Sequence, residues 1–384
     1  MEVEMEITST TRRSVLERSA KGALAFLTVS ITARSLGLTA LAQVPQKFLI
    51  GSQPISPVIC SYIGIVDFFK EEGLNAEITR FQSGPAINQA IAAGNVAVGD
   101  VGIAPALVAI TRGLPVIAPY LGAYCTPTHP LERIMVREDS SIRSLDDLKG
   151  KKLAMFGRGT VTDLMLGALP NKSNIRKEDL ELVLIPQGSQ PAALQQGLVD
   201  AIFAVPPADT VAERQFKART IANGTDLVPF VGLGTVVVRR DFADAYPDAT
   251  KKLFRACIRF ARWIQDNEAL ARRVAAKNLD LPDELATQTR IPLFARNGRP
   301  VMPNVWHAYE MLVQAKTIDP HPDPANLIND AVVEPAKRFV RPALEQLGEQ
   351  KEPQIEAMLR GEYPLLPKPA SSYYADWERR LVKT

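Results

Sequence analysis

The sequence predicts an α/β protein of two similar lobes facing a shared cleft. Three observations carry this expectation. Short strands and helices alternate from Lys47 onward, helix after helix stops at glycine and hands over to a strand, and one helix–Gly–strand–Pro unit occurs twice. The first copy lies in SGPAINQAIAAGNVAVGDVGIAP, Ser83–Pro105, and the second in ALQQGLVDAIFAVPP, Ala193–Pro207. In each, a helical run ends at Gly94 or Gly197, a small-residue apolar strand follows, and proline closes it. An open α/β sheet takes its ligand beyond the carboxyl ends of its strands. Two lobes set face to face therefore need one copy of the unit in each wall.

Taken in order, KFLIG (Lys47–Gly51) reads as a strand, and Ile59–Glu72 as a helix with Ile59, Tyr62, Ile63, Val66 and Phe69 on one face, stopped by Gly73. NAEITRF is the next strand, Pro85–Ala93 a helix stopped by Gly94, and VAVGDVG a strand. Ile103–Arg112 is a helix stopped by Gly113, ahead of LPVIAPYLGAY. A second series begins with the strand RIMVRE (Arg133–Glu138) and runs through SLDDLKGKKLAMFGRGT, a helix over Thr160–Leu169, and LELVLIPQGS. It continues with a helix over Pro191–Gln196 and the strand VDAIFAV, and GLGTVVVRRDF (Gly232–Phe242) brings the chain back. The rest is helical, with long amphipathic runs at Pro247–Asn278 and Asn304–Lys316.

The 384 residues suffice for two full cores, and a net charge of +3 from 45 basic and 42 acidic groups gives no sign of a nucleic-acid binder. Cys60, Cys125 and Cys257 form no CxxC pair; Cys257 falls on an apolar helix face, and the sequence leaves open whether Cys60 and Cys125 pair. TRRSVLE, the apolar run Gly22–Ala33 and ALA at Ala40–Ala42 follow the order of an export signal, with Arg12–Arg13 resembling the twin-arginine type. Residues 1–42 are thus expected to be removed, leaving a mature chain from about Gln43.

The order SGP-helix, AG-strand-GxxP, LDDLKGKKLAMFGRGT and QPAALQQGLVDAIF resembles the nitrate/sulfonate/taurine group of periplasmic solute-binding proteins of ABC importers, a group that also covers binders of thiamine-pyrimidine precursors. The resemblance covers about Lys47 to Lys316. It implies a type II periplasmic-binding fold: two α/β lobes joined by two crossover segments around a central cleft, closing on one ligand. On this reading lobe I comprises 43–130 and 235–330, lobe II comprises 131–234, and 331–384 is an extension without an assigned role. The implied function is capture of a small polar or anionic organic solute by a monomeric periplasmic protein that serves a membrane permease and binds no nucleic acid. Two departures from the family pattern, Ala97 and Ala204–Val205–Pro206, make the cleft wall smaller and more apolar. A sensing receptor and a pyrimidine-type enzyme on the same fold are the alternatives.

Candidate ligand contacts follow from helix amino termini, whose free N–H groups suit anions. They are Ser83 and Gly84, then Arg158, Gly159 and Thr160, then Gly188 and Ser189. Gln53 lies on the loop after the first strand, while Ile103, Pro105 and Pro206 belong to the segments that close the two repeats. Capping and turn roles are the plain alternatives for these residues. Tyr124 and Thr126 on the first crossover and Gly232–Leu233–Gly234 on the second are hinge candidates. No catalytic, metal or cofactor site is expected. The three histidines, His129, His307 and His321, are widely spaced, no G-x-S-x-G elbow occurs, and GRGTVT lacks the Lys-Ser/Thr pair of a phosphate loop.

Overall fold

The computed structural model describes residues 47–62, 64–278 and 281–360; the expected export signal lies outside them. The first lobe is built on β1 (Phe48–Ser52), β2 (Ala76–Arg80), β3 (Val98–Gly102) and β4 (Val116–Leu121). The first crossover carries β5 (Ala123–Cys125) and delivers the chain to β6 (Arg133–Val136). The second lobe adds β7 (Lys152–Met155), β8 (Glu181–Leu184), β9 (Ala201–Ala204) and β10 (Arg219–Asn223). The return crossover carries β11 (Val231–Gly232) into β12 (Gly234–Arg239), and β13 (Leu293–Phe294) comes later.

The two main sheets are topological equivalents. The first has the order β2-β1-β3-β12-β4, and the second, written from the other side, β8-β7-β9-β6-β10. In each, a central strand pairs in parallel with its two neighbours: β1 with β2 and β3, and β7 with β8 and β9. In each, the fourth strand is antiparallel and arrives by a crossover, β12 beside β3 and β6 beside β9. The repeated sequence unit supplies the same position twice, β3 and β9. Its two glycines end their helices with φ of +77° at Gly94 and +71° at Gly197, a conformation that favours glycine.

A third, small sheet joins the lobes, in the order β11-β5-β13. Tyr124 pairs with both Gly232 and Leu293, so both crossovers and a strand from the helical portion are laced together there. Asn304, from the helix Met302–Gln314, holds this hinge: its Nδ2 donates to Phe230 O at 3.0 Å and its Oδ1 accepts from Gly232 N at 2.5 Å. A Cβ at Gly232 would lie 2.6 Å from that oxygen, which is why a glycine stands there.

Some elements differ from the sequence reading. Instead of one helix over Ile59–Glu72, a 3-10 turn at Ile59–Ser61 precedes a helix at Ile65–Glu71, with Cys60 N drawn onto Asp100 Oδ2 at 2.6 Å. The long run after Pro247 divides into Pro247–Asp266 and Glu268–Asn278 at Asn267, whose side chain bonds back to Trp263 O. A helix at Ala208–Phe216 and edge strand β10 had no counterpart in the sequence reading. Cys60, Cys125 and Cys257 are all free thiols and buried. The segment after Asp330 is part of the first lobe's packing: residues 329–347 lie against β4 and the helix Pro247–Asp266. Farther on, Gln354 Oε1 accepts hydrogen bonds from Thr126 and Thr128 on the first crossover.

Candidate functional site

Four strand ends converge between the lobes. Gln53 follows β1, Gly102 ends β3, Phe156 follows β7 and Val205 follows β9, and all four line one cavity of about 30 Å³. From the first lobe Ile55, Val58, Gly84 and Pro105 also line it; from the second, Thr160, Val161 and Thr162 do. Pro57 and, one on each crossover, Glu132 and Leu233 complete the lining. The lobes meet closely here. Ser56 N donates to Pro206 O at 3.1 Å across the cleft, and Ile55 and Val58 pack on Val205 and Phe156 as a separate apolar cluster.

Thr160 and Thr162 bring hydroxyls 2.9 Å apart to the second wall. Thr160 also caps the helix Val161–Leu166, accepting from Asp163 N and donating to Gly157 O at 2.8 Å. Glu132 is the one ionisable side chain among the described lining residues. It is 2% exposed, and burial pushes its carboxyl up to about 7, opposed by hydrogen bonds from Cys125 and its own backbone N–H.

The structure brings some predicted residues together and separates others. Gln53, Gly84, Pro105 and Thr160 meet at the cavity. Ile103 and Pro206 are buried beside it, the first through an Ile103 N–Leu233 O bond of 2.8 Å and the second through the bond to Ser56. Ser83 caps its own helix, accepting from Ala86 N. Arg158 is exposed and, with Gly159, lines a different and larger cavity of about 490 Å³, together with Asp163 and Lys177 of the second lobe and Arg112 and Lys316 of the first. Asp163, one turn along the same helix, accepts Gly159 N at 2.8 Å and pairs with Lys177, so that backbone N–H is met from within the loop. Gly188 and Ser189 are exposed, and the buried neighbour Gln187 instead ties this loop to Val205 O at 2.7 Å.

Glu132, Phe156 and Thr162 escaped the sequence reading. Glu132 stands alone in PLERIMV with no partner spacing to mark it. Thr162 was legible in principle, since it follows Thr160 by two residues on a helix start.

A Cβ at Gly102 would lie 2.9 Å from Val161 Cγ2 of the opposite lobe. Gly102→Leu is therefore expected to keep the lobes from this close approach, so that the smallest radius of gyration the chain reaches by solution scattering exceeds that of the native chain. An unchanged radius would mean that Val161 yields and that Gly102 does not set the approach.

The chain matches the family model described as NMT1/THI5 like over residues 65–269, more than half of its length. The chain belongs to the NMT1/THI5-like family. Among curated relatives of this family member, the taurine-binding periplasmic protein of Escherichia coli (strain K12) is 28% identical over 191 residues, which are 50% of this chain and 58% of that protein. A putative aliphatic sulfonates-binding protein of the same organism is 31% identical over 147 residues, 38% of this chain and 45% of that one. The chain thus spans less than two thirds of the length of these relatives. Among solved structures, the alkanesulfonate-binding protein SsuA from Xanthomonas axonopodis pv. citri bound to MOPS has a TM-score of 0.61 at 23% identity, covering 79% of this chain and 99% of that one. The nitrate-binding protein NrtA from Synechocystis PCC 6803 has a TM-score of 0.67 at 13% identity, covering 80% and 90%. The fold of this NMT1/THI5-like chain is the two-lobed periplasmic-binding fold.

Proposed function

We propose that this protein is the solute-capturing component of an ABC importer, a monomer that works in the periplasm and hands a small polar organic molecule to a membrane permease. The observation that carries the reading is the convergence of four strand ends, from two topologically equivalent sheets, on one cavity bridged by two crossovers. The relatives' names, taurine-binding and aliphatic sulfonates-binding, support the transport role and give the first ligands to try. The proposed lobes are 43–130 with 235–330, and 131–234; the twin-arginine pair Arg12–Arg13 would serve export. The proposed contacts are Gln53, Gly84, Pro105, Thr160 and Thr162, with Glu132 at the crossover. Capture proceeds without turnover.

A space of about 30 Å³ is far below the roughly 300–1,000 Å³ of ligand pockets, so a solute enters only when the lobes part. Binding then favours the closed arrangement through contacts made by both lobes. Titration with taurine and short alkanesulfonates is expected to reduce the radius of gyration. At a hundredfold excess over Kd it should add about 2.7 kcal/mol to stability. A ligand that raises the melting temperature with unchanged scattering would replace hinge closure by a rigid pocket.

A further inference from the structure

Glu132 is the cleft group whose chemistry is unspent. It sits on the first crossover, immediately before β6, where both lobes and the hinge meet. Its Oε2 is buried and has no hydrogen-bond partner among the described residues. The adjacent cation does not serve it: the Arg133 guanidinium is committed to Asp209, Glu213 and Thr220 on the far side of the strand. Arg290 donates to Pro130 O and lies toward Asp209. The groups that act on Glu132 are the Cys125 thiol and the Asp209 carboxylate, and neither neutralises a negative charge.

The base of the side chain is also held in place. Gly224 N donates to Glu132 O at 2.7 Å, and a Cβ at Gly224 would lie 3.0 Å from Glu132 Cβ, so the backbone closes around the base of the side chain. A buried acceptor fixed in position and left unpaired costs stability. Such a cost is met when a ligand supplies the missing donor. The remaining lining divides into the Thr160 and Thr162 hydroxyls and Gln53 for a second polar group, and Ile55, Val58, Phe156 and Val205 for an apolar body.

We propose that Glu132 is the specificity-determining carboxyl of the cleft and that the captured solute presents an ammonium or amino N–H to its Oε2. This rests on the reading of the cleft as the solute site and names the solute's class within it: an amino-bearing molecule, with any anionic group held elsewhere in the cavity by hydroxyls and amide rather than by a basic side chain.

The test is calorimetric titration of the native protein and Glu132→Gln with three matched pairs: taurine against ethanesulfonate, β-alanine against propionate, and 4-aminopyrimidine against pyrimidine. The expected result is binding by an amino-bearing member, with its partner and the Glu132→Gln variant each weaker by about ten- to hundredfold, the span of a charge-assisted hydrogen bond. At pH 8, where the native carboxyl is charged, the unliganded variant is expected to melt at or above the native temperature, because a buried charge without a counter-charge is replaced by a neutral isostere; this separates lost recognition from lost folding. Equal binding of an amino-free member, or full affinity in Glu132→Gln, overturns the assignment while leaving solute capture intact. No binding by any of the six, together with scattering that none of them changes, overturns the capture reading and this assignment with it.

Discussion

Arg133→Met is expected to destabilise the protein by about 3–5 kcal/mol at pH 8, the range for breaking a buried ion pair by removing one partner. Arg133 is 2% exposed and Asp209 is fully buried. The guanidinium meets Asp209 Oδ2 through Nε at 3.0 Å and Nη2 at 2.8 Å, and reaches Glu213 at 2.8 Å. Methionine fills similar volume but strands the Asp209 carboxylate in the core. Desolvation already pushes Asp209 above its ordinary value, despite Arg133 and Arg290, and without Arg133 it rises further. A raised carboxyl is protonated in the folded state at low pH, so the penalty should be small at pH 5 and grow as pH rises and the group ionises. Urea denaturation of Arg133→Met at both pH values, with Arg133→Met/Asp209→Asn beside it, checks this. The double variant should recover most of the loss. An equal penalty at pH 5 and 8 would mean that Arg290, 3.8 Å from Asp209, takes over the charge.

This pair also marks where the sequence stops being readable. Strands β1, β3, β7 and β9 were legible because each is a short apolar run with a glycine turn nearby, and the doubled unit carried the two-lobed plan. Edge strand β10 was not. RTIAN alternates weakly and is exposed enough that its composition is mixed, and its place is set by antiparallel pairing with β6, a strand distant in sequence. The Ala208–Phe216 helix was hidden because Pro206–Pro207 read as punctuation, although proline is well placed just before a helix. At the site, Gln53 after β1, Gly84 and Thr160 at helix amino termini and Pro105 in the segment closing the first repeat were recoverable from the order of elements. Arg158 was not: Asp163 takes the neighbouring Gly159 N–H, and the arginine lines the larger second cavity instead. Glu132 needed two distant crossovers to be brought together before its isolation became visible.

Asp100→Asn is expected to remove a pH dependence of stability worth on the order of 4 kcal/mol between about pH 4 and pH 8. Asp100 lies on β3, opposite Val236 of β12, and is 1% exposed. Its Oδ2 accepts from Cys60 N at 2.6 Å, while Oδ1 has no partner among the described residues. Burial pushes this carboxyl from 3.8 up to about 7, opposed only by the backbone and thiol hydrogen bonds of Cys60. Below about pH 4 the group is protonated folded or unfolded and contributes no difference. Between there and about pH 7 the folded state holds its proton more tightly, so stability falls as pH rises. At 1.36 kcal/mol for each tenfold change in proton affinity, the whole loss is in place by pH 8. Asparagine keeps the oxygen that Cys60 N needs and carries no charge, so the variant should be the more stable form at pH 8. Its gain is limited by the roughly 1–3 kcal/mol cost of burying an unpaired amide N–H. At pH 4 that cost stands alone and the order should reverse. Denaturation midpoints of the two proteins, followed across this range, should therefore cross. Parallel curves would mean that Asp100 holds its proton equally well folded and unfolded, so that burial on β3 does not penalise its charge.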